Sequence, residues 1–106
     1  MAWLLLLIAG LTEIAWAIGL RYTAGFTRLG PSLWTLGNMV LSVVFLTRAV
    51  RTLPIGTAYA VWTGIGAAGT ALLGMVLFDE PRGWPRLACI GVIVSGIVGL
   101  RLVSPE

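Results

Sequence analysis

The sequence predicts an all-α integral membrane protein, a single domain of four transmembrane helices over residues 1–106. Two observations carry that prediction. The chain of 106 residues is 58% hydrophobic and only 10% charged, with a mean hydropathy of +0.99. A water-soluble domain of this length is usually about 45–50% apolar and about 25% charged, so there is too little polar surface here to cover a soluble globule. The apolar residues also fall into four runs separated by short polar turns, and a spanning helix needs about 20 mostly apolar residues.

The first span is expected at 2–20. It lacks a positive leading segment, Glu13 interrupts it and three more apolar runs follow, so it reads as a retained span rather than a cleaved secretory signal. A polar loop from Arg21 to Gly30 follows. Pro31 and Ser32 open the second span, expected at 31–47, and Arg48 to Pro54 form a tight turn. The third span is expected at 55–78, and Asp79-Glu80-Pro81-Arg82-Gly83 is a turn cluster. The fourth is expected at 84–100. Its uninterrupted apolar stretch, Leu87 to Leu100, covers about 21 Å, so Arg86 and Arg101 must snorkel outward. With loops this short, consecutive helices lie side by side and alternate in direction.

The net charge is +3 and all seven cations are arginines. They fall between apolar runs without a basic stripe, which suits interfacial anchoring and argues against a nucleic-acid partner. Cys89 is alone and there is no His, which argues against a disulfide framework, a metal site or a bound cofactor. Orientation follows the distribution of positive charge. One side would hold Arg48, Arg51 and Arg101, the other Arg21, Arg28, Arg82 and Arg86. Three against four is almost no bias, so two readings stand: a single charge or the first helix decides, or copies insert both ways. Oppositely inserted copies could pair as an antiparallel homodimer, the unfused form of the inverted repeats of larger transporters. Gly91, Ser95 and Gly99 recur at i, i+4, i+8 on the fourth span, a small-residue stripe suited to close helix contact at a dimer interface.

Glu13 lies about 16 Å along the first span from Ala2, near the bilayer midplane. An acid there costs about 2.5–3.5 kcal/mol on insertion scales, and no basic residue lies at matching depth. The alternative is a structural acid, protonated and bonded to a neighbour. Gly10, Trp16 and Ala17 share its helix face. Tyr59 and Trp62 are i, i+3 neighbours on the third span, with Thr63 beside them, and Asn38 and Ser42 form an i, i+4 polar pair on the second. A carboxylate for charge, aromatic faces for cation–π attraction and hydroxyls for orientation describe a cation receptor. They equally describe a proton site, and two Glu13 side chains meeting in a dimer would titrate as a coupled pair. Gly64, Gly66 and Gly69 on the third span read either as a bend beside the site or as surfaces for close packing.

Three stretches in order, Gly10-Leu11-Thr12-Glu13-Ile14-Ala15-Trp16-Ala17, Gly25-Phe26-Thr27-Arg28 and Pro54-Ile55-Gly56-Thr57-Ala58-Tyr59-Ala60-Val61-Trp62-Thr63-Gly64-Ile65-Gly66, resemble the small multidrug resistance family of proton-coupled exporters. Glu13 to Ala17 and Ser42 resemble its guanidinium-exporting subtype. The resemblance implies an antiparallel homodimer in the bacterial inner membrane that exchanges protons for guanidinium. It implies Glu13 as the shared proton and substrate ligand, with Trp16, Ser42, Tyr59 and Trp62 around it; beside them, the residue pattern itself adds Gly10, which clears space on the Glu13 face, and Asn38 and Thr63 as further polar groups of the pocket. It makes the Gly64-Ile65-Gly66 stretch the hinge of a moving helix. A carboxylate matches the planar N–H fork of guanidinium and an indole stacks on its face. The competing expectations are a broad-specificity exporter of quaternary ammonium ions, a dual-topology ion channel, and a non-transporting partner subunit.

Overall fold

The computed structural model describes residues 1–104. It has four helices: α1 (Ala2–Tyr22), α2 (Leu29–Ala49), α3 (Ile55–Leu77) and α4 (Trp84–Val103). There is no strand among the described residues, and each helix is long and apolar enough to cross a bilayer. The helices are longer than the expected spans at several ends. α2 begins at Leu29, ahead of Pro31, because proline is tolerated in a first helical turn where its missing N–H has no intrahelical partner. Pro85 does the same for α4. That helix continues past Arg101 to Val103, and its 20 residues reach about 30 Å. Its polar ends therefore add about two turns to the apolar stretch.

The turns are built locally. Thr23 closes α1 with its hydroxyl on the Leu20 carbonyl at 2.9 Å, and its own carbonyl accepts from the N–H groups of Thr27 and Arg28 at 2.9 and 3.1 Å. This hairpin passes through left-handed backbone at Ala24, Gly25 and Phe26; only the glycine adopts that conformation without a steric penalty. Leu53 plugs the second turn, almost fully buried, and Pro54 caps α3.

α1 packs along both α2 and α3, and α4 packs against α3. The apolar core is concentrated at one end. Leu6 and Ala9 of α1, Leu46 and Ala49 of α2, Leu53, and Ala58 and Val61 of α3 form one buried cluster. A smaller cluster of Ala68, Met75 and Ile90 joins α3 to α4 nearer the other end. Buried apolar packing is thus concentrated toward the end that carries the N-terminus, while the half of α1 beyond Glu13 faces a cavity.

Close approach explains why α1 can lie between two neighbours. A Cβ at Gly10 would come within 2.5 Å of Ile65 on α3, and one at Gly19 within 2.5 Å of Thr35 on α2. In lipid no hydrophobic force drives helices together, so van der Waals contact between small residues carries their association. Trp34 strengthens the α1–α2 contact by donating its indole N–H to the Ala15 carbonyl at 3.0 Å.

Candidate functional site

Glu13 occupies the middle of α1, twelve residues after Met1, and it is half-buried against α3. The facing residue is Gly66. A Cβ at that position would strike the Glu13 side chain, from its Cγ to a carboxyl oxygen. Gly66 therefore makes the room in which the acid sits. One oxygen, Oε1, is buried and has no hydrogen-bond partner among the described residues. An acceptor left unpaired in a low-dielectric setting is costly, and such a group is suited to receive a donor.

The acid opens into a cavity of about 700 Å³. Trp16, Thr63, Gly66 and Thr70 share its wall with Glu13, and towards the loop end it is lined by Arg21, Phe78, Glu80 and Arg86. The indole N–H of Trp16 is likewise buried without a partner. Trp16 is one turn from Glu13 and thus sets an aromatic surface and an uncommitted donor beside the carboxylate. The Thr63 hydroxyl is committed to its own helix, donating to the Tyr59 carbonyl at 2.8 Å.

Ser42, Trp62 and Gly10 lie outside this cavity wall. Ser42 is completely buried. Its hydroxyl donates to the Ala9 carbonyl at 2.7 Å and accepts from the Trp62 indole N–H at 2.8 Å. That chain of bonds ties α2 to α1 and α3 at the rim of the packed end, and Gly10 is the neighbouring point of contact between α1 and α3. Tyr59 is 55% exposed on the outer side of α3, its ring 5.7 Å from that of Trp62. Asn38 donates to the Trp34 carbonyl of its own helix at 2.9 Å.

Gly64 points away from Glu13. Its would-be Cβ lies 3.0 Å from Ile97 of α4, so Gly64 and Gly66 admit different neighbours while α3 runs unbroken through both. On α4, Gly91, Gly96 and Gly99 have no atom within 4 Å of a would-be Cβ, and Ser95 is exposed. Its hydroxyl donates to the Gly91 carbonyl at 2.8 Å.

Four of the expected residues, Glu13, Trp16, Thr63 and Gly66, thus meet in one cavity. Its outer half went unread in the sequence. Thr70 lies one turn beyond Gly66, a spacing that sequence alone offered as a signal. Glu80 and Arg86 are brought in by the path of the loop, which leaves no periodic trace.

Comparison with known proteins places these features in context. Residues 1–93 match the family model described as Small Multidrug Resistance protein. A protein named guanidinium exporter from Citrobacter freundii is 58% identical over 102 residues, covering 96% of this chain and 97% of that one. A protein of the same name from Yersinia pestis is 57% identical over 104 residues, covering 98% of this chain and 100% of that one.

Proposed function

The chain belongs to the small multidrug resistance family, and from that premise we propose that it exports guanidinium across the bacterial inner membrane in exchange for protons. Membership, and relatives named guanidinium exporter, support reading it as a transporter. The observation that carries the mechanism is the Glu13 carboxylate, set at mid-span in a cavity wall with an unpartnered oxygen beside the unpartnered Trp16 indole.

Guanidinium is planar and remains charged at ordinary pH, and its N–H fork matches a carboxylate bidentately. Deprotonated Glu13 offers that carboxylate, and Trp16 offers a flat face for stacking. Protonated Glu13 offers neither the charge nor both acceptors. Proton and cation are then alternatives on one group, and each weakens the other's binding by the same factor. Exchange follows if the protein changes its open side only with one of them bound.

We further place the working unit as an antiparallel homodimer. The near-even arginine split supports it, as does the open stripe of Gly91, Ser95 and Gly99 on α4. Tyr59 is exposed in one protomer and would reach a site only through a second copy. In this reading Gly64 and Gly66 form the bend on which α3 repacks, because the lack of Cβ atoms lets neighbours slide past.

The test uses purified protein in liposomes with a pH indicator inside. Guanidinium added outside should drive proton movement in the wild type, and Glu13→Gln should abolish it. Continued coupling in Glu13→Gln would sink the mechanism. Equal competition by bulky tetraalkylammonium ions would point instead to a broad-specificity exporter, and flux indifferent to the proton gradient to a channel.

A further inference from the structure

The cavity that begins at Glu13 ends at a second carboxylate. Glu80 follows α3 in the loop and folds back on the helix. Its N–H donates to the Gly74 carbonyl at 3.3 Å, and its side chain lies so close over Gly74 that a Cβ there would strike the carboxylate. Gly66 receives Glu13 in the same manner eight residues earlier, about 12 Å along the helix at about 1.5 Å per residue.

Thr70 sits midway, four residues from each glycine. Its hydroxyl is buried and has no partner among the described residues. Thr12, Thr47 and Thr63 each donate instead to a carbonyl three or four residues back. Carboxylate, hydroxyl and carboxylate therefore follow one another along one broad face of α3, and all three line the same cavity.

The outer carboxylate already holds a guanidinium group. Arg86 Nη2 lies 2.8 Å from Glu80 Oε1, with the two side chains 34% and 36% exposed. The contact uses one carboxylate oxygen, and the buried Nε of Arg86 is left without a partner. Close by, the Arg21 guanidinium lies 4.9 Å over the Phe78 ring. The mouth thus applies to the protein's own arginines the two contacts that suit free guanidinium, a carboxylate edge and a ring face. A partly exposed, single-handed ion pair is weakly held, and a bidentate ligand can displace it.

We propose that Glu80 is an outer receiving site for guanidinium-type cations on their way to or from Glu13. Arg86 is its tethered competitor and the Thr70 hydroxyl the contact between the two carboxylates. This inference rests on the exporter reading above.

The test measures initial rates of guanidinium uptake into liposomes against concentration, at low and high salt. Glu80→Gln should raise KM about two- to fivefold at low salt, with a smaller change in maximal rate. Arg86→Gln should lower KM, because it frees the carboxylate. Both effects should shrink at high salt, and Glu80→Asp should restore part of the loss. Thr70→Val should shift KM in the same direction as Glu80→Gln. If the pair only anchors the loop, the Gln variants will impair transport together and independently of salt, which overturns the outer site. Wild-type uptake with an unchanged KM in Glu80→Gln overturns it as well while leaving the exporter reading intact. No guanidinium uptake by the wild type would overturn the exporter reading and this site's transport role with it.

Discussion

α1 and α4 are matched in mean hydropathy, 1.9 over their most apolar windows, yet 22% of that window is buried in α1 and 6% in α4. The difference lies in what their small residues meet. Gly10 and Gly19 of α1 press against side chains of α3 and α2, whereas Gly91, Gly96 and Gly99 of α4 face open space within one protomer. Hydropathy places a helix in the bilayer and says nothing of the face it packs. Small residues mark a packing face only when a partner is present, and for α4 the proposed partner is a second copy.

Substitutions at close approaches and at open faces should therefore differ in what they disturb. The largest effect is expected at Gly66. Alanine there displaces the Glu13 carboxylate, a flexible group, so binding should suffer more than stability. The loss of a charge-assisted hydrogen bond, about 1.5–3 kcal/mol, corresponds to at least about tenfold weaker guanidinium binding. Titration calorimetry and thermal unfolding on the same sample check both halves of the statement. Unchanged affinity would show that the acid does not depend on this clearance.

The next effect is expected at Gly99. A Cβ at Gly99 would meet no atom within 4 Å in one protomer, so Gly99→Ala should leave the fold of the single chain untouched. If the stripe is the dimer contact, overpacking should weaken association by about 1–3 kcal/mol. Dilution series followed by single-molecule photobleaching in lipid would measure it. An unchanged dimer would move the interface elsewhere on the molecule.

The smallest of the three is expected at Ser42. Alanine removes the acceptor of the Trp62 indole N–H and the donor to the Ala9 carbonyl. Interhelical side-chain bonds in membrane proteins average about 0.6 kcal/mol, so the stability loss should be modest. The Trp62 fluorescence should still change as its ring is released. A large loss of guanidinium affinity with no change in stability would instead place Ser42 in contact with the cation.

The spans were legible because apolar runs and their Pro, Gly and Arg punctuation are local features. Glu13 was legible because an acid at that depth is expensive, and Trp16 because it lies one turn away. Other parts needed the third dimension. Gly66, beside Gly64, reads in sequence as a bend or as a surface for close packing, and only the fold shows that its neighbour across the helix gap is the acid itself, a contact 53 residues apart in sequence. Ser42 pairs with Asn38 by spacing and lies in the pocket by family resemblance. Neither shows that its hydroxyl bonds to Ala9 and Trp62 on two other helices. Glu80 read as a turn residue beside Pro81, because nothing in a linear pattern shows a loop folding back over Gly74.

If one acid serves both proton and guanidinium, guanidinium affinity must depend on pH. Competition predicts that the apparent Kd rises as pH falls through the titration of Glu13, approaching about tenfold per pH unit for each proton displaced. A Kd that stays flat while Glu13 protonates would contradict the account.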